Sequence, residues 1–159
     1  MDLIGKTSIN PVLFYTGKIS GYITWIIFAL QHTDKYYFKL EGIQYNSQIY
    51  FSYILAGLAI VLITISLYNL GKSTRLGLPK TDTKLKINGL YKISRNPMYL
   101  GFNLLTISSM IYTLNFVIII MGLYSIFVYH WIIKAEERFL EQRFGDDFIK
   151  YKSITRRYI

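Results

Sequence analysis

Two stretches of the chain gather the side chains able to do chemistry. "GLYKISRNPMYLG" (Gly89–Gly101) sets Tyr91, Arg95, Asn96, Pro97 and Tyr99 between two long apolar segments. "KAEERFLEQRFGDDFIKYKSITRRYI" (Lys134–Ile159) opens with the adjacent acids Glu136 and Glu137. What is missing bounds the chemistry. With no cysteine, disulfides, thiolate metal sites and cysteine nucleophiles are excluded. The two histidines, His32 and His130, fall in a loop and in an apolar span, and two lone imidazoles so placed make neither a metal site nor a catalytic triad. No P-loop or G-x-G-x-x-G phosphate cradle occurs. The pattern therefore disfavours hydrolysis by a metal or an activated nucleophile. It suits a reaction whose reactive group a cofactor brings, with the protein supplying orientation and electrostatics.

Each stretch also has a simple local meaning. Asn96 is a good helix N-cap and Pro97 a good first helical residue, so "NP" can do no more than start a helix. In the tail, Leu140, Phe144, Phe148 and Tyr151 recur at helical spacing and predict one apolar stripe, with Glu136 on it four residues before Leu140, while Gly145 is expected to interrupt the helix or end its first part. Glu137 falls about 100° further round the helix. Glu136 is thus expected to turn toward the protein, and Glu137 toward a rim or a basic neighbour. The alternative is an amphipathic helix lying on anionic lipid with its acids in water.

The elements that must position these residues are membrane helices. Of the 159 residues, 52% are hydrophobic and 17% charged, against about 25% charged in a typical soluble domain. Spans of roughly 17–25 apolar residues are predicted at 11–30, 49–70, 98–114 and 116–133, the last two joined as a tight hairpin at Asn115. Lys18 interrupts the first and must snorkel or mark a later start near Ile19. The N-terminus lacks the basic region of a signal peptide, so the chain is expected to be retained whole.

Net charge is +9, which in this setting points to anionic membrane lipid rather than nucleic acid. The segment Gly71–Pro97 carries seven basic residues against one acid, and the tail after Ile133 carries seven more. Gln31–Gln48 has two, balanced by Asp34 and Glu41. The positive-inside rule then places both termini and the Gly71–Pro97 loop in the cytoplasm. The expected architecture is a single all-α membrane domain over 1–159, with about four transmembrane helices and a cytoplasmic C-terminal amphipathic helix. Segments 73–101 and 134–157 are expected to build one site on one membrane face.

With these motifs in view, the chain resembles the isoprenylcysteine carboxyl methyltransferase and phospholipid methyltransferase superfamily. Its members typically read G-x-Y-x-x-x-R-H-P-x-Y-x-G, then, after a helical hairpin, E-E-x-x-L-x-x-x-F-G-x-x-Y-x-x-Y. Gly89, Tyr91, Arg95, Pro97, Tyr99 and Gly101 fit the first pattern; Glu136, Glu137, Leu140, Phe144, Gly145 and Tyr151 fit the second, with Phe148 in place of a tyrosine. "STRLGLP" (Ser73–Pro79) also looks like the family's segment after the preceding span. Asn96 departs from the usual histidine: it keeps a donor and an acceptor but cannot become cationic.

The resemblance implies a membrane methyltransferase that uses S-adenosylmethionine, without a metal. Its acceptor would be a lipid-like or apolar small molecule bearing a carboxylate, amine or thiol. The cofactor would lie between Tyr91, Arg95, Asn96, Pro97, Tyr99, Glu136 and Glu137, with Arg95 and Arg156 as positioning candidates. In this picture Arg95 and the free N–H groups of the third span hold the cofactor carboxylate, a glutamate takes its ribose hydroxyls or ammonium, and a tyrosine packs on adenine or sulfonium. Two other readings stay open: a non-catalytic lipid-interacting membrane protein, and an NADPH-dependent membrane reductase, against which Glu136–Glu137 and the short chain argue.

Overall fold

Asparagines start two of the long helices. Asn10 precedes Pro11, and its side-chain oxygen accepts from the N–H groups of Val12 (2.9 Å) and Leu13 (3.4 Å). Asn115 does the same for Val117 (2.9 Å) and Ile118 (3.3 Å). Each cap satisfies N–H donors that a helix leaves open at its first turn. The computed structural model describes residues 7–31, 46–71 and 85–159. These form helices α1 (Pro11–Leu30), α2 (Asn46–Leu70), α3 (Pro97–Thr113), α4 (Phe116–Phe144) and α5 (Asp146–Ile154), with a 3-10 turn at Gly89–Lys92. Among the described residues there is no strand; the only sheet-like pairing is an isolated bridge between Ser94 and Arg156.

Helices α1 and α2 turn mostly small and polar residues inward and large apolar residues outward, whereas α4 also buries Ile118, Val128, Tyr129, Ile132 and Ile133. On α2, Ser52, Ala56, Ala59 and Ser66 are buried, while Ile54, Leu58, Val61 and Ile65 are exposed. On α1 the buried set is Phe14, Gly17, Ser20, Gly21 and Thr24. This arrangement suits hydrocarbon as solvent, where small residues and hydroxyls bring helices together. Interhelical bonds follow: Ser108 to the Ser52 carbonyl (2.8 Å), Ser109 to the Thr24 carbonyl (2.7 Å), Ser20 to the Met121 carbonyl (2.9 Å), and Trp25 Nε1 to Thr106 Oγ1 (2.9 Å). Gly101 explains its place in the motif: a Cβ there would overlap the Ile63 side chain and lie 3.0 Å from the Ala59 carbonyl. Helix α3 packs mainly on α2, and α1 mainly on α4.

Among the described residues three helices, α1, α2 and α4, are long and apolar enough to cross a membrane. The chain is an integral membrane protein with an all-helical core. Helix α3 has 17 residues, the short limit for crossing. Lys18 does not delay α1, which begins at Pro11; its Nζ lies 4.1 Å from the Phe14 ring centroid, inside the helix's own length. The α3–α4 hairpin turns through Leu114 and Asn115, with Leu114 in the left-handed region at φ +42.

The tail breaks at Gly145, as the sequence expects. Helix α4 runs on to Phe144, and at Gly145 the chain takes φ +50, a conformation open to glycine and costly for other residues. Helix α5 then leaves in a new direction, burying Phe148 and Tyr151. The stripe from Leu140 to Tyr151 is therefore split between two helices. The readings for Gln31–Gln48, for His32 and for Ser73–Pro79 lie wholly or largely outside the described residues.

Candidate functional site

Beyond α5 the tail runs back along the segment that starts α3. The Tyr151 hydroxyl donates to the Tyr91 carbonyl (2.6 Å), Arg95 N–H to the Arg156 carbonyl (2.9 Å), and Ser94 Oγ to the Arg157 carbonyl (3.3 Å). Burial raises the Tyr151 phenol above its ordinary pKa, so it remains a neutral donor. Two motifs about forty residues apart in sequence are thereby laced into one layer.

At its centre is Glu137, whose side chain is 6% exposed. Its Oε1 accepts from Arg95 Nε (3.0 Å) and Asn96 Nδ2 (3.0 Å). Its Oε2 accepts from Arg157 Nη2 (2.8 Å), Arg157 Nε (3.0 Å) and Arg95 Nη2 (3.3 Å). Arg95 Nη1 also donates to the Lys152 carbonyl (3.2 Å) and the Thr155 carbonyl. The Arg95 side chain, 8% exposed, thus commits four of its five N–H donors within the protein. Hydrogen bonds to Glu137 raise the Arg157 pKa further. The whole is a carboxylate clamped by two guanidinium groups, with charge-assisted bonds on both oxygens.

Glu136 sits differently. It is partly exposed, its Oε1 accepts from the Tyr99 hydroxyl (2.8 Å), and no cation lies within bonding distance among the described residues. The Lys18 ammonium of α1 faces it electrostatically without forming an ion pair. Tyr91 stands nearby: burial, reinforced by the Glu136 charge, pushes its phenol up to about 12. Tyr99 packs by its ring against Tyr129 (centroids 5.6 Å) and Phe102 (6.1 Å). Tyr99 thus holds one oxygen of Glu136, and Lys18 and Tyr91 are near enough to feel its charge.

Several sequence expectations change here. Arg95 is a buried crosslink of the tail and has little left to offer a ligand carboxylate. Asn96 makes no side-chain cap bond to α3; its Nδ2 is spent on Glu137 and on the Arg157 carbonyl (3.2 Å). As the stripe argument expects, Glu136 turns to the buried Tyr99 hydroxyl and Glu137 meets basic neighbours, but those neighbours are Arg95 and Arg157 and they bury Glu137 as well. Arg156 is exposed and contributes through its carbonyl. Pro97 is buried as the first residue of α3. His130 Nδ1 meets the Tyr158 hydroxyl at 2.7 Å and stacks on that ring, a packing contact.

Arg157 and Lys18 lie outside the residues that the motifs mark. Lys18 carries a sequence signal of its own, a lone charge inside an apolar span. Arg157 is indistinguishable in sequence from its neighbour Arg156.

A family model described as phospholipid methyltransferase matches residues 47–147. The match takes in α2, α3 and α4, and leaves out α1 with Lys18 and the final turn with Arg157. No curated protein and no solved structure matches the chain.

Proposed function

This chain belongs to the phospholipid methyltransferase family, a family of membrane methyltransferases, and from that premise we propose that it transfers a methyl group from S-adenosylmethionine to a lipid-like acceptor at the cytoplasmic membrane face. The observation that carries the donor assignment is the contrast between the two glutamates. Glu137 is saturated by Arg95, Asn96 and Arg157, while Glu136 holds one oxygen on Tyr99 and keeps the other without a hydrogen bond among the described residues.

The donor set fits the cofactor's chemistry. S-adenosylmethionine supplies an electrophilic methyl on a sulfonium, together with an ammonium, ribose hydroxyls and a carboxylate. Glu136 accepts from an ammonium or from hydroxyls, beside the buried phenols of Tyr91 and Tyr99. The first N–H groups of α3, which Asn96 does not cap, favour a carboxylate. The Glu137 clamp acts as a positioning frame, holding the tail over the start of α3 so that Tyr91, Tyr99 and Glu136 keep their relation. Water exclusion helps any transfer in which opposite charges vanish, and fixed orientation supplies much of the rest.

Four spans, with α3 as the short one, bring both termini to the cytoplasm and make one membrane domain. The family's description favours a phospholipid headgroup amine as acceptor, which must shed its proton before it can accept a methyl; a thiol must likewise ionise, whereas a carboxylate need not. Calorimetric titration in detergent tests the donor. S-adenosylmethionine is expected to bind, NADPH not to, and Glu136→Gln to weaken binding about tenfold or more, the scale of one charge-assisted hydrogen bond. Equal affinity in wild type and Glu136→Gln would remove Glu136 from the site. Incubation with labelled S-adenosylmethionine and membrane extract then identifies the acceptor.

A further inference from the structure

The outward face of α4 carries a gradient that the methyltransferase reading does not use. Ile120, Leu123, Phe127 and Trp131 follow one another at helical spacing and are 50%, 56%, 56% and 42% exposed. Lys134 and Arg138 continue the same stripe beyond Ile133, where the apolar run ends. Phe127 meets Trp131 edge to face (centroids 6.1 Å), and Lys134 Nζ lies 5.1 Å from the Trp131 ring centroid. From Ile120 to Trp131 the stripe is ~16 Å long at 1.5 Å per residue, of the order of an acyl chain. At its polar end opens a cleft of about 240 Å³ floored by Trp131 and walled by Lys134, Arg138, Lys152 and Arg157, with Glu137 and Glu141.

The charges in that cleft are unevenly matched. Glu137 is taken by Arg95 and Arg157, and Glu141 pairs with Lys152 at 3.1 Å. Lys134 and Arg138 have no ion pair among the described residues. The cleft therefore keeps a cationic surplus, which repels S-adenosylmethionine or a choline group and attracts a phosphate. A soluble anion would gain nothing from the apolar stripe below; a lipid uses both ends. Interfacial tryptophan with basic residues just outside it is the pattern by which membrane proteins hold anionic headgroups.

We propose that α4 carries a binding site for an anionic phospholipid, its chain along Ile120, Leu123 and Phe127, its backbone at Trp131 and its phosphate between Lys134 and Arg138. The site lies apart from Glu136 and does not rest on the methyl-donor assignment.

The test uses the full chain in phosphatidylcholine nanodiscs and the fluorescence of Trp131, isolated by subtracting the Trp131→Phe signal. Brominated phosphatidylglycerol is expected to quench at a mole fraction about tenfold or more below brominated phosphatidylcholine, the scale of two basic groups near a membrane surface. The double variant Lys134→Gln/Arg138→Gln should quench equally with both lipids at unchanged melting temperature. Should it melt early, raising salt from about 0.1 to about 0.5 M on the wild type replaces it, and must weaken the phosphatidylglycerol preference alone. Equal quenching by the two lipids in the wild type overturns the proposal, as does a preference that survives the double substitution. Relief of quenching by millimolar inorganic phosphate would make this a soluble-anion site, and relief by S-adenosylmethionine would make it a donor site. Either result overturns the lipid assignment.

Discussion

Replacing Glu137 by glutamine leaves shape nearly unchanged and removes the one negative charge that two guanidinium groups share. Arg95 is then 8% exposed with no counter-ion among the described residues, its remaining partners being the Lys152 and Thr155 carbonyls. Removing one partner of a buried pair costs about 3–5 kcal/mol, because the other charge stays desolvated. Arg157, 31% exposed, can turn to water, so its share falls toward the 0–1 kcal/mol of an exposed pair. The amide oxygen of glutamine still accepts one bond. A loss of about 3 kcal/mol is therefore expected for Glu137→Gln, measured by reversible denaturant unfolding in micelles.

The double variant Arg95→Met/Glu137→Gln separates charge from shape. Removing both charges should be less costly than the sum of the single changes, with a coupling of about 1–3 kcal/mol. If Glu137→Gln costs under about 0.5 kcal/mol, or the two changes simply add, the clamp does not hold the tail. Its role as the frame of the site would fall with it.

Other outcomes follow from single contacts. Gly101→Ala should cost about 1–3 kcal/mol by forcing α3 from Ile63 and the Ala59 carbonyl, whereas Gly57→Ala, with nothing within 4 Å of its added Cβ, should gain about 0.5–1 kcal/mol; thermal melts of both in one detergent compare them. Asn96→Ser should cost about 1–3 kcal/mol because the two Nδ2 bonds are lost; near-wild-type stability would restore the capping role. Single cysteines at Lys92 and Lys35, introduced into this cysteine-free chain, should react with an impermeant thiol reagent only after permeabilisation at Lys92, and on intact cells at Lys35. The reverse pattern refutes the orientation.

How much of this was legible beforehand follows physical lines. Apolar runs near the length of a bilayer, the hairpin break at Asn115, and the clustering of polar groups in Gly89–Gly101 and after Ile133 are local properties, and hydropathy is a local force. They placed α1, α2, α3 and the start of α4 to within a few residues, and the two motifs carried the family. The roles inside the motifs were not local. Which basic groups reach Glu137 depends on the path of the chain beyond Gly145 and on where the returning tail crosses residues 94–96. A helical wheel gives the faces of α4 and α5, and Gly145 marks the break between them, but the path the chain takes there, at φ +50, is not written in the wheel. Arg95 looks like a ligand-binding arginine in one dimension, and it is spent only because Lys152, Thr155 and Glu137 fold around it. Arg157 gains its bond to Glu137 by the same return of the chain, while the adjacent Arg156, alike in every sequence property, points away. Side-chain type sets which bonds a residue can make, and the long-range path of the backbone decides which of them it makes.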